Sequence, residues 1–84
     1  MKRRPKQHLS SLTSRERQIV LMVAEGLSNK EVGRRLNLLE GTVKAHLHNI
    51  YTKLRINKRI ALAQIAHAHR KELLGRRSSW PRAR

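Results

Sequence analysis

Two copies of one helix-start signal constrain this chain more than anything else in it. Thr13-x-x-Glu16 and Ser28-x-x-Glu31 are both capping boxes. In each, a hydroxyl accepts from the backbone N–H three residues on, and a carboxylate reaches back to the hydroxyl residue's own N–H. Each start is soon followed by a stop. After the first, Ile19, Val20, Met22 and Val23 recur at helical spacing, and Gly26 ends the run as a residue free to take positive φ. After the second, Val32 and Leu36 lie one turn apart, and Asn37 can take the same left-handed exit. The punctuation predicts helix 1 over about 14–25 and a short helix 2 over about 29–36.

Helix 3, over about 40–54, follows after a link of about three residues. Its Val43, Leu47, Ile50 and Leu54 form one apolar stripe. Two short helices on so short a link suit a helix-turn-helix, in which they meet at a steep angle. Gly33, in the middle of helix 2, costs about 1 kcal/mol against Ala, which points to another helix approaching closely there. "INKRIALAQIAHAHRKELLG" supplies helix 4 over about 58–73, with Asn57 as its N-cap. Leu62, Ile65, Ala66 and His69 share one face. Ile60, Ala61, Gln64 and Ala68 lie on another, where small residues permit a partner helix to pack closely; a mildly apolar solvent face fits them equally. No alternating β-branched or aromatic run marks a strand. The reading is an all-α domain over 9–75, between a basic flexible arm over 1–8 and a basic flexible tail over 76–84.

Charge narrows the partner. There are 20 Lys and Arg against five acids, all Glu, for a formal charge of +15. Eight of the basic residues lie in "MKRRPK" and "RRSSWPRAR", but residues 8–75 keep the other 12 and stay basic without the ends. Such a balance predicts a polyanion, nucleic acid first and an acidic membrane surface second. The ends themselves read either as solvated termini or as arms that grip phosphate.

Other chemistry is poorly supplied. With no Cys there is no disulfide framework and no thiolate site. His46 and His48, like His67 and His69, are two apart and point to roughly opposite sides of a helix. No metal is expected. Without Asp or a Gly-rich phosphate loop, no catalytic residues and no cofactor are assigned, and no enzyme is expected. "MKRRPKQHLSSL" has no apolar run behind its basic start, and no segment approaches membrane-spanning length. A soluble, cytoplasmic protein is the expectation.

At roughly 100° per residue, the buried stripe of helix 3 leaves an outer face of Gly41, Ala45, His48, Asn49 and Thr52. Lys44 and Tyr51 flank it on one side, and Thr42, His46 and Lys53 on the other. The centre of this face carries no acid. Gly41 and Ala45 would let the helix sit deep in a groove, while Lys44, His48, Asn49 and Thr52 carry donors. Lys, His and Asn can hydrogen-bond base edges, and an Ala methyl can meet a thymine methyl. A helix of this kind docks with its N-terminal half toward the bases. A plain solvent-facing helix is the alternative; the charge and the short turn favour the groove.

"LTSRERQIVLMVAEGLSNKEVGRRLNLLEGTVKAHLHNIYTKLRINKRIAL", residues 12–62, resembles the LuxR-type (GerE-type) helix-turn-helix DNA-binding domain. The "LTxRE" start, "GLSNKEV", "TVKxH" and "KL" followed by Arg occur in order and at family spacing, and "EGTVKAHLHNIYTKL" is most similar to response-regulator output domains. The resemblance implies a four-helix fold with helix 3 as recognition helix, acting in transcription regulation on two-fold-related half-sites of double-stranded DNA. It implies that Lys44, Ala45 and His48 face the groove, and that Thr42, Asn29 and Lys30 lie near the DNA backbone. Helix 4, through Ile60, Ala61, Gln64 and Ala68, would join a homodimer. RNA polymerase is a further expected partner, a membrane is not, and the location would be the nucleoid. The rival is a protein-interaction module of the same fold, working through helix 4. A membrane-surface peptide is a weaker rival, because short capped helices suit a pre-formed domain.

Three departures stand out. Leu39 takes the place of a capping Ser, and Arg55 that of a Gly. No receiver or ligand-binding domain is read ahead of the unit, and without Asp the chain lacks a receiver's phosphorylation site; the expectation is either a stand-alone regulator or an excerpt of a longer one, with the Met1 start favouring the first slightly. Leu39 gives up a side-chain cap worth about 1 kcal/mol, of which Glu40 recovers a little through the helix dipole. Leu39→Ser should therefore raise the melting temperature in a thermal scan; a lower value would mean that Leu39 is packed.

Overall fold

The computed structural model describes residues 9–74. The basic arm over 1–8 and the tail over 76–84 lie outside them. The elements are α1 (Ser14–Ala24), α2 (Asn29–Leu36), α3 (Glu40–Leu54), α4 (Arg59–Ala68) and α5 (Arg70–Leu73), and among the described residues all regular structure is helical.

Both capping boxes close as the sequence predicts. The Glu16 N–H donates to Thr13 Oγ1 at 3.1 Å and the Thr13 N–H to Glu16 Oε1 at 2.9 Å. The Glu31 N–H donates to Ser28 Oγ at 3.1 Å and the Ser28 N–H to Glu31 Oε1 at 2.8 Å. The first three helices also end alike. Gly26, Asn37 and Arg55 take positive φ of 95°, 61° and 58°. The next residue's N–H then reaches back: Leu27 to the Met22 carbonyl at 3.1 Å, Leu38 to Gly33 at 2.7 Å, Ile56 to Tyr51 at 3.0 Å. In each case the apolar residue after the left-handed one packs against the core. Arg55 does this without glycine's freedom, at a cost on the order of 1 kcal/mol.

The fourth helix departs from its expected course. Asn57 is not its cap: α4 starts at Arg59 behind an extended Lys58, and no side chain caps it. The helix also breaks at His69, whose φ of −120° and ψ of 31° are not helical. No Gly or Pro marks the break. The turn beyond it packs against α1 and buries Leu73 to 1% exposure, so tertiary contact overrides local propensity there.

The core has α1 at its centre, touching each of the other four helices. Ile19, Val20, Leu21 and Val23 of α1 meet Val32 and Leu36 of α2, the full Val43, Leu47, Ile50, Leu54 stripe of α3, and Leu62 and Ala66 of α4. Leu9 and Leu12 close the end ahead of α1. Leu39, by contrast, is 78% exposed and makes no side-chain cap bond, so it has little packing to lose.

Gly33 is required, though not chiefly by a neighbouring helix. A Cβ there would lie 2.6 Å from the carbonyl oxygen of Leu38, in the turn that Gly33 itself helps to close, and 3.5 Å from Val43 Cγ2 of α3. That oxygen is backbone and cannot swing away. Gly33→Ala should therefore lower stability by on the order of 1–3 kcal/mol, against the helix propensity that favours Ala. Denaturant titration checks it, and a stabilised variant would show that the turn yields freely.

Candidate nucleic-acid interface

The stripe on one side of α3 decides what the other side shows. With Val43, Leu47, Ile50 and Leu54 all buried, Gly41, Thr42, Lys44, Ala45, His48, Asn49 and Thr52 are all exposed. The space where a Gly41 side chain would lie is open to 4 Å. Lys44, His48 and Asn49 make no side-chain hydrogen bond among the described residues, so their donors are free for something outside. Thr52 differs: its hydroxyl donates to the His48 carbonyl at 3.0 Å, which leaves its oxygen as an acceptor.

Three of the five flanking residues, His46, Tyr51 and Lys53, turn toward the fold. Tyr51 and His46 are half-buried. Lys53 Nζ donates to Glu16 Oε1 at 2.8 Å and to the Ser11 carbonyl at 3.1 Å. It therefore fastens the end of α3 to the start of α1 rather than reaching outward. Glu40, in the first turn, is the acid that α3 carries, and it lies outside the centre of the exposed face.

Electrostatics reinforce the fastening. Burial pushes the Glu16 carboxyl up, but the Lys53 hydrogen bond, the Thr13 N–H and the nearby charges of Lys53 and His46 outweigh it and hold the group below its ordinary range. The exposed Glu31 carboxyl is also lowered, by the Ser28 N–H it accepts.

The expected backbone-contacting residues sit at the start of α2. Lys30 is exposed. Asn29 is half-buried, and its Oδ1 accepts from Arg59 Nη1 at 2.8 Å. Arg59 Nη2 also donates to the Leu27 carbonyl at 2.8 Å. Arg59 is a residue that sequence reasoning passed over, because its partners lie about thirty positions earlier and no spacing rule links them. On α4, Ile60 is 65% exposed, Gln64 and Ala68 are exposed and Ala61 is half-buried. A shallow depression between the α1–α2 turn and α2 is lined by Glu25, Gly26, Leu27, Glu31, Arg34 and Arg35, with no nucleophile paired to a base.

Comparison with known proteins places this geometry. The family model for bacterial regulatory proteins of the luxR family (GerE) matches residues 10–66. The chain is 49% identical over 57 residues to YhjB of Escherichia coli K12, named as a candidate HTH-type transcriptional regulator; the match covers 68% of this chain and 28% of that protein. It is 39% identical over 62 residues to the nitrate/nitrite response regulator protein NarL of E. coli K12, covering 74% and 29%. It is 46% identical over 57 residues to the transcriptional regulatory protein LiaR of Bacillus subtilis, covering 68% and 27%. The chain thus spans less than a third of the length of these relatives.

The Glu16–Lys53 pair sets a pH dependence. In the unfolded chain Glu16 titrates near the ordinary value of about 4.3, and in the fold it titrates lower. The unfolded state therefore binds the proton first as pH falls. The pair's stabilisation is complete above about pH 5 and disappears as pH drops through the folded value. Glu16→Gln should cost about 1–2 kcal/mol at pH 7, the partly exposed Lys53 keeping it modest. The difference in melting temperature should narrow as pH falls below about 5 and through the folded value; a gap that stays constant with pH would rule out the ion pair as its source.

Proposed function

The chain belongs to the luxR family of bacterial regulatory proteins, a family of DNA-binding regulator domains rather than of enzymes, and on that footing we propose that it is a sequence-specific double-stranded DNA-binding transcription regulator that lays α3 in the major groove. One observation carries the reading: the exposed side of α3 is small, donor-bearing and free of acid at its centre, while its opposite side is buried without a gap. The buried stripe holds the helix. The exposed face is left with no role in the fold.

The chemistry is that of binding alone. Lys44 donates to guanine O6 and N7, the Ala45 methyl meets a thymine methyl, and His48 and Asn49 donate or accept at the next base edges. Lys30, Asn29 and Thr42 contact phosphates and set the register without reading sequence. Thr52 supports the far end through its oxygen. The charge of +15 draws the chain to DNA and makes the affinity fall steeply with salt. Two copies pair through Ile60, Ala61, Gln64 and Ala68 and bind two-fold-related half-sites, in the cytoplasm at the nucleoid, with RNA polymerase as a further partner. The exposure of Ile60 supports a second reading, in which α4 binds another regulator or polymerase directly.

The test is Lys44→Ala on two duplexes, the one preferred in selection from random sequence and one of random sequence. A base contact predicts a loss on the order of 1–3 kcal/mol on the preferred duplex, with a relaxed preference. Equal loss on both would make Lys44 a phosphate contact, and no preferred duplex at all would favour the protein-binding reading.

A further inference from the structure

Arg59 is placed to govern how Asn29 meets DNA. It is the first residue of α4, and Asn29 is the first residue of α2. Its guanidinium reaches across to the α1–α2 turn and donates twice, to Asn29 Oδ1 and to the Leu27 carbonyl, both at 2.8 Å. Both acceptors are neutral, and among the described residues no carboxylate pairs with Arg59. In a chain so short of acids, this cation is held by carbonyl oxygens alone.

The contact decides the orientation of the Asn29 amide. A guanidinium has donors and no acceptor, so the amide atom facing it must be the oxygen. The NH2 group then points away from Arg59. An unrestrained asparagine can turn either end outward, and only one end suits a phosphate, whose oxygens accept and do not donate. We infer that Arg59 is a positioning residue: by taking the Asn29 oxygen, it presents the Asn29 NH2 group to the DNA backbone. The inference rests on the DNA-binding reading and adds to it a requirement that α4 be in place for α2 to grip.

This arrangement separates fold from function in a single substitution. Asn29→Asp keeps the shape and gives Arg59 a charged partner, a stronger bond than the neutral one. It also puts negative charge in the first turn of α2, where the helix dipole favours it. The outward atom, however, becomes a carboxylate oxygen facing phosphate. The variant should melt at or above the wild-type temperature and bind both the preferred and the random-sequence duplex about tenfold or more weakly. Arg59→Gln should weaken binding as well, and much less so in an Asn29→Ala background, since its effect passes through that amide.

Fluorescence anisotropy on both duplexes, with melting temperatures for each variant, gives the answer. Asn29→Asp binding as tightly as wild type overturns the inference. So does an Asn29→Asp chain that melts below wild type, because the carboxylate then fails to meet Arg59. An Arg59→Gln loss that is the same with and without Asn29 also overturns it and reduces Arg59 to a structural tie. Wild-type chain that binds neither duplex overturns the DNA reading itself, and this inference with it.

Discussion

The turn between α2 and α3 rests on one close contact, and the rest of the molecule's surface follows from it. Asn37 takes the left-handed conformation, the Leu38 N–H returns to the Gly33 carbonyl at 2.7 Å, and the Leu38 carbonyl sits where a Gly33 side chain would be. Three residues thus set the angle at which α3 leaves α2. With the angle set, the α3 stripe falls on α1 and α2, and Lys44, Ala45 and His48 have nowhere to go but outward. Asn37 and Gly33 are the residue types that tolerate this geometry, one through its left-handed φ and the other through its missing Cβ.

A chain with this much positive charge works against its own compactness, and four of its five acids are placed where they offset that. Glu16 closes the α1 capping box and also binds Lys53, so one carboxylate anchors both the start of α1 and the end of α3. Glu31 caps α2. Glu72 pairs with His69 at 3.1 Å across the break between α4 and α5. Glu40 sits in the first turn of α3, where the dipole favours it. The exposed face of α3 is left positive or neutral as a result. Arg59, like Arg15 and Arg17, is held by neutral oxygens instead, in its case beside the start of α2.

Much of the fold was legible because its signals are local. Two capping boxes and their exits at Gly26 and Asn37 lie within a few residues of the ends they set, and the first three helices end within a residue of where the spacing puts them. The α3 stripe is periodic and therefore also local. What escaped is long-range. Nothing near His69 signals a break, because the cause is Leu73 reaching α1. Asn57 is a good cap by type, yet α4 starts two residues later, where Arg59 holds the α1–α2 turn. Lys53 looked like a flank of the exposed face and instead turns to Glu16. Thr52 looked like an outward donor, but its proton goes to its own helix. The exposed set on α3, by contrast, was read correctly from spacing.

The central claim is that the outer face of α3 is the surface that meets DNA. Amide chemical shifts followed during titration with the preferred duplex test it most directly. The account predicts that the largest changes fall at Gly41, Thr42, Lys44, Ala45, His48 and Asn49, with a second group at Asn29 and Lys30. Changes confined to Ile60, Ala61, Gln64 and Ala68, with the α3 amides unmoved, would contradict it.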